Sequence, residues 1–92
     1  MSSSQNIIPD GVYQEFGGLM YFIVDNSKRE VSTSIMEGIY TIYKYSIENG
    51  IITMNCLKDG ITLRNHITIY SNPTRFELQP DNAQFTYISP LK

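Results

Sequence analysis

The sequence predicts an all-β chain of about eight short antiparallel strands, and three observations carry that expectation. Apolar and polar residues alternate at period two through most of the chain, the spacing of a strand with one buried face. The six glycines and four prolines fall almost entirely between the apolar runs, where strands start and stop. The connections are short, and a parallel crossover needs about a dozen residues or more, so strands adjacent in sequence must pair antiparallel. At 92 residues and 41% apolar composition the chain suits one domain with one modest core.

Residues 1–10 read as a flexible polar tail, and residues 11–92 as the domain. Pro9-Asp10-Gly11 introduces a first strand over 11–16, and Gly17-Gly18 bends the chain into a second over 19–25. That second strand is apolar on both faces, with Leu19, Tyr21 and Ile23 on one and Met20, Phe22 and Val24 on the other. A terminal segment such as Asn6-Ile7-Ile8 is one means of covering its second face. Asn26-Ser27-Lys28-Arg29 is a polar turn before a third strand over 31–36. Glu37-Gly38 leads into strands over 39–47, 51–57 and 61–70. Ser71-Asn72-Pro73-Thr74 and Pro80-Asp81-Asn82-Ala83 then bracket strands over 75–79 and 84–88.

Two turns are regular enough to set a register. Ile47-Glu48-Asn49-Gly50-Ile51 and Leu57-Lys58-Asp59-Gly60-Ile61 share the pattern apolar, two polar, Gly, apolar. This fits a three-residue hairpin with glycine in a left-handed bulge, placing Ile47 opposite Ile51 and Leu57 opposite Ile61. One face of the meander then carries Ile47, Ile51 and Ile67 with Tyr43, Tyr45, Thr53, Asn55 and Asn65, a core face with a polar cluster at its centre. The other carries Lys44, Arg64, His66 and Thr62 around Ile42, Ile52, Met54 and Cys56, an outer face with an apolar strip inside a polar frame.

The chain resembles the small lipocalin-like domains of bacterial proteins, within the calycin group of antiparallel barrels. Gly11-Val12-Tyr13 stands where the group opens with G-x-W, so that Tyr13 replaces the signature Trp. Gly38-Ile39-Tyr40-Thr41-Ile42 matches a central G-x-Y-x-I strand, and the run from Ile47 to Met54 matches a strand pair. Thr74-Arg75-Phe76-Glu77-Leu78 and Phe85-Thr86-Tyr87-Ile88 look like the closing strands. The resemblance implies an up-and-down barrel or a strongly curved sheet. It also implies either a small apolar ligand in the interior or none at all.

Catalytic chemistry lacks an assembled set of residues. His66 has no second histidine or cysteine pair beside it, and Cys56 has no base placed near it, so both read as structural or surface residues. Asp10, Asp25, Glu37, Glu48, Asp59 and Asp81 all fall in predicted turns, where carboxylates accept bonds from backbone N–H groups. Neither a phosphate-binding glycine loop, an EF-hand nor a nucleophile elbow is present. A non-enzymatic chain without cofactor or metal is the expectation. Seven basic residues against nine acidic ones argue against nucleic acid, whose affinity comes largely from phosphate neutralisation. No run approaches the roughly 18 apolar residues of a membrane-spanning helix, so no membrane partner is expected. The lone cysteine, the uncharged N-terminus and the Pro-blocked Asn72-Pro73-Thr74 fit a cytoplasmic protein.

Two functional readings follow. In the first, the chain is a protein–protein interaction module, either self-associating as a homodimer or binding another protein as a phage or bacterial inhibitor or immunity protein does. Its surface would be Tyr40, Ile42, Ile52, Met54 and Cys56, with Met20 and Phe22 from the two-sided strand. Low charge (17%) and seven tyrosines favour this, since Tyr buries a large area at low entropic cost. In the second, the barrel interior holds a small apolar ligand, with Tyr43, Tyr45, Thr53, Asn55 and Asn65 as polar groups on an apolar wall.

Overall fold

A computed structural model describes residues 7–36 and 38–91. Eight strands form in chain order: β1 (Gly11–Glu15), β2 (Tyr21–Asp25), β3 (Glu30–Met36), β4 (Ile39–Glu48), β5 (Ile51–Cys56), β6 (Thr62–Tyr70), β7 (Arg75–Gln79) and β8 (Ala83–Ser89). Each pairs antiparallel with the next, and β8 pairs with β1, closing an up-and-down barrel. No helix among the described residues is long and apolar enough to cross a membrane.

The closing seam depends on a glycine. Tyr13 lies opposite Tyr87 and Val12 opposite Ser89, so the register shifts between them. Gly11 sits beside that shift at φ +146°, a value L side chains rarely adopt, and a Cβ there would lie 2.5 Å from the Tyr87 ring. A residue with a side chain would push β1 away from β8.

Alternation directs one face of every strand inward. Tyr13, Phe22, Phe76 and Phe85 meet at the barrel centre, with ring centroids 4.7–5.3 Å apart for the Phe22–Phe85 and Phe22–Phe76 pairs and 5.0 Å for the stacked Phe76–Phe85 pair. Val24, Val31, Tyr45, Ile47, Ile52 and Leu78 complete this core. An eight-stranded barrel has an interior just wide enough for side chains, so these rings fill its middle.

The strand set agrees with the sequence reading, but the register of β5 does not. Asn49 and Gly50 both have positive φ (52° and 75°), which makes a two-residue turn closed by the Glu48–Ile51 pair. Asn-Gly is the dipeptide such a turn favours, so Ile47 faces Ile52 and not Ile51. The next turn is longer than expected: Cys56 N–H donates to Ile61 O and Gly60 N–H to Cys56 O, both at 2.9 Å. Leu57 therefore belongs to the loop. Each change shifts the register by one residue. The first turns β5 over relative to β4, and the second restores β6 to its expected face. Ile52, Met54 and Cys56 point into the core, and Thr53 and Asn55 point outward.

Candidate functional site

The two ends of the barrel differ in chemistry. At the end where β1 begins, Ile8 is fully buried and plugs the interior. Its N–H donates to Tyr45 Oη at 3.2 Å, and its carbonyl accepts from Asn26 Nδ2 at 2.7 Å. Tyr45 Oη in turn donates to Asn26 Oδ1, and the Asn26 amide groups also reach Asp10 Oδ1 at 2.8 Å. Tyr13 Oη donates to Pro9 O at 2.7 Å. Every polar atom brought inside by the plug thus finds a partner, as a buried polar group requires. Burial pushes the Tyr13 phenol above its ordinary range, with Tyr87 nearby adding to the effect. Burial also raises Tyr45, partly opposed by the bond from the Ile8 backbone. Ile8 was expected within a polar tail; its burial makes residues from 7 onward part of the folded unit, while residues 1–6 lie outside the described residues.

The opposite end is open. A cavity of about 380 Å³ lies between the aromatic cluster and the mouth, floored by Phe22, Met54, Leu78 and Phe85. Tyr43 and Asn65 stand on its wall, and Glu15, Asp81 and Asn82 at its edge. Asn65 Nδ2 is held by Gln79 O at 3.0 Å, which fixes the carboxamide against the wall.

Large apolar side chains crowd the rim of this mouth. Phe16 and Leu19 on the β1–β2 turn are 80% and 78% exposed. Ile35, Met36 and Ile39 are exposed at the tip of the β3–β4 hairpin, and Leu57, Ile61 and Leu63 around the β5–β6 turn. Two turns of the closed end carry polar and charged residues instead, Asn26, Ser27, Lys28 and Arg29 between β2 and β3 and Ser71, Asn72 and Thr74 between β6 and β7, while Ile51 beside the β4–β5 turn and Ile7 are exposed there. The Lys44–Glu30 pair, 3.4 Å apart, lies on the outer wall. Among the described residues, the charged side chains at the mouth are Lys58 and Asp59 in one turn, Asp81 in another and Glu15. Asp59 lies below its ordinary range because it accepts the Ile61 backbone N–H, as Asp25 does through the Ser27 hydroxyl.

These positions correct much of the sequence-derived surface. Ile52, Met54, Cys56 and Phe22 are buried core residues, and Met20 is half-buried at the cavity wall, so none forms an outer strip. Tyr40 and Ile42 do face outward, at 52% and 40% exposure. Of the expected ligand contacts, Tyr43 and Asn65 line the cavity, whereas Tyr45 belongs to the plug. Thr53 and Asn55 lie on the outer wall, where Thr62 Oγ1 donates to Asn55 Oδ1. His66 is exposed on the outside of β6, and no group of three or more His, Cys, Asp or Glu side chains among the described residues is placed to hold a metal. The sequence reading missed the rim residues Phe16, Leu19, Leu57 and Ile61. Their signal was present: apolar residues flank the turns at one end and are scarce at the β2–β3 and β6–β7 turns of the other. No protein-family model, curated protein or solved structure matches the chain.

Proposed function

We propose that the chain is a non-catalytic interaction module that binds protein through its open end, most directly another copy of itself. One observation carries this reading: most of the large exposed apolar side chains, Phe16, Leu19, Met36, Ile39, Leu57 and Ile61 among them, gather around one end of the barrel, against Ile7 and Ile51 at the other. Scattered surface apolar residues need no explanation, but a contiguous patch of more than a few hundred Å² marks an interaction surface. The test is light scattering on a sizing column with the full chain and with Phe16→Asp/Leu19→Asp. Self-association of the wild type, lost in this variant and kept in Thr68→Asp on the polar outer wall, is the expected result. A wild-type chain that stays monomeric at high concentration overturns the self-association reading.

The cavity favours a second reading, a carrier or sensor of a small apolar ligand, as the lipocalin resemblance implies. Its volume of about 380 Å³ falls within the usual range of small-molecule sites, and apolar walls with a few fixed polar groups are their usual lining. Native mass spectrometry of freshly purified protein should then detect an adduct that Met54→Trp, which fills the floor, excludes.

A further inference from the structure

The β3–β4 hairpin projects past the rest of the barrel and leaves a strand edge without a neighbour. β4 pairs with β3 as far as Ile39 opposite Met36, but its pairing with β5 begins only at Tyr43 opposite Cys56. Beyond that, one bond remains on the β5 side, from Leu57 N–H to Ile42 O at 3.0 Å. The bulge in the hairpin places its extra residue in β3, between Thr33 and Met36, so β4 itself stays regular. Between Ile39 and Ile42 this edge carries no charge, no proline and no bulge, the devices by which proteins normally block edge pairing. A groove of about 390 Å³ runs along it, bounded by Leu57 and Lys58.

The direction of its backbone groups follows from the ladder. Tyr45 N–H donates to Arg29 O, so the odd-numbered residues of β4, Thr41 included, turn their N–H and C=O toward β3. Tyr40 therefore presents both backbone groups to the vacant side, where among the described residues nothing pairs with them.

Resting on the interaction reading above, we propose that two copies join by antiparallel pairing of their β4 edges about a two-fold axis centred on Tyr40. An edge of this kind is complementary to itself. Tyr40 facing its symmetry mate forms a hydrogen-bonded pair that exchanges two N–H···O bonds, while Ile42 keeps its contact with Leu57 of its own chain. The apolar area supports the same occupant. Ile39, Tyr40, Ile42, Leu57 and Ile61 are 40–61% exposed beside the edge. Taking about 200 Å² for a large side chain in the open, they expose about 500 Å² per chain. Two copies then bring together about 1,000 Å², the size at which specific interfaces begin, before any main-chain surface is counted.

The experiment compares full-length wild type, Tyr40→Ala and Tyr40→Pro by light scattering, with thermal unfolding to confirm that each variant is folded. Because the Tyr40 N–H points away from β3, proline there removes the edge donor without breaking a hairpin bond. The expected result is a dimer for wild type, a dimer weakened by no more than about tenfold for Tyr40→Ala, and a monomer for Tyr40→Pro. Amide exchange gives an independent readout that needs no variant. The Tyr40 amide should become protected as concentration rises through assembly, while the Thr41 amide is protected throughout. A dimer that survives Tyr40→Pro, or a Tyr40 amide that exchanges fast in the assembled state, overturns edge pairing. If that dimer is still lost in Phe16→Asp/Leu19→Asp, the interaction reading stands without the edge. A wild type that never assembles removes both.

Discussion

Ile8 offers the sharpest test of how the closed end is built. Its side chain is fully buried under the turns of that end, while its neighbour Ile7 is 45% exposed. Ile8→Ala removes three carbons from the core, a loss of about 2.4 kcal/mol at about 0.8 kcal/mol per buried methylene. The cavity left behind adds to this, and the end of a barrel relaxes more readily than its centre, so about 2–4 kcal/mol is expected. The backbone bonds of Ile8 to Tyr45 and Asn26 do not involve the side chain and survive the change. For a domain of this length, about 1 kcal/mol corresponds to about 5 °C of thermal midpoint, so Ile8→Ala should lower it by about 10–20 °C. Ile7→Ala should cost less than about 0.5 kcal/mol, as surface changes do. The assay is thermal or urea unfolding of the two variants beside wild type. Equal midpoints for Ile7→Ala and Ile8→Ala would refute the plug and return this segment to a peripheral tail.

The inverted register of β5 predicts that Met54→Asp abolishes folding, because it buries an unpaired charge among Phe22, Leu78 and Phe85. Thr53→Asp, one residue earlier on the outer wall, should leave the circular dichroism spectrum unchanged, and the opposite pattern would restore the original face assignment. Tyrosine titration tests the core from another side. Tyr13 and Tyr45 have phenols raised by burial, so their contribution to stability is full below the unfolded pKa of about 10 and is lost as pH rises toward their folded values. A phenolate absorbance titration of wild type beside Tyr13→Phe and Tyr45→Phe should therefore show both phenols un-ionised until the barrel unfolds in alkali.

Strand number and order were legible because polar turns, glycines and prolines separate the apolar runs. Gly17-Gly18, Pro73 and Pro80 bound strands at positions where the structure also breaks them. Register was not legible at the same level, because a turn of two residues and one of three both end in glycine. Asn49 decided the matter: its side chain tolerates the left-handed conformation, so the pair Asn49-Gly50 closes the tighter turn. One extra loop residue after Cys56 then cancelled the error, which is why β6 fell on its expected face while β5 did not. Closure of the barrel was not legible, since the family resemblance left a barrel and a strongly curved sheet both open and period two satisfies either. Ile7-Ile8 reads in sequence as a cover for the second strand, and its place as an end plug was not legible because two apolar residues carry no periodicity.

The mouth was legible in principle, through a property of up-and-down barrels. Alternate turns lie at the same end, so the odd and even turns should be read as two groups. Three of the four turns in one group, Phe16-Gly17-Gly18-Leu19, Met36-Glu37-Gly38-Ile39 and Leu57-Lys58-Asp59-Gly60-Ile61, are flanked by apolar residues on both sides, against one of three, Ile47 to Ile51, in the other. Folding gives no reason for that pattern. The stability of the barrel rests on the aromatic cluster at its centre and the satisfied plug at its closed end, and Phe16, Leu19 and Ile39 belong to neither. The part of the rim left in water, about four-fifths of Phe16 and Leu19, contributes nothing to the monomer by the hydrophobic effect. Together with an unblocked strand edge it carries a risk of unwanted association. Under the interaction reading proposed above these residues are accounted for by what they bind, and that reading assigns the contact to the mouth and the adjoining β4 edge.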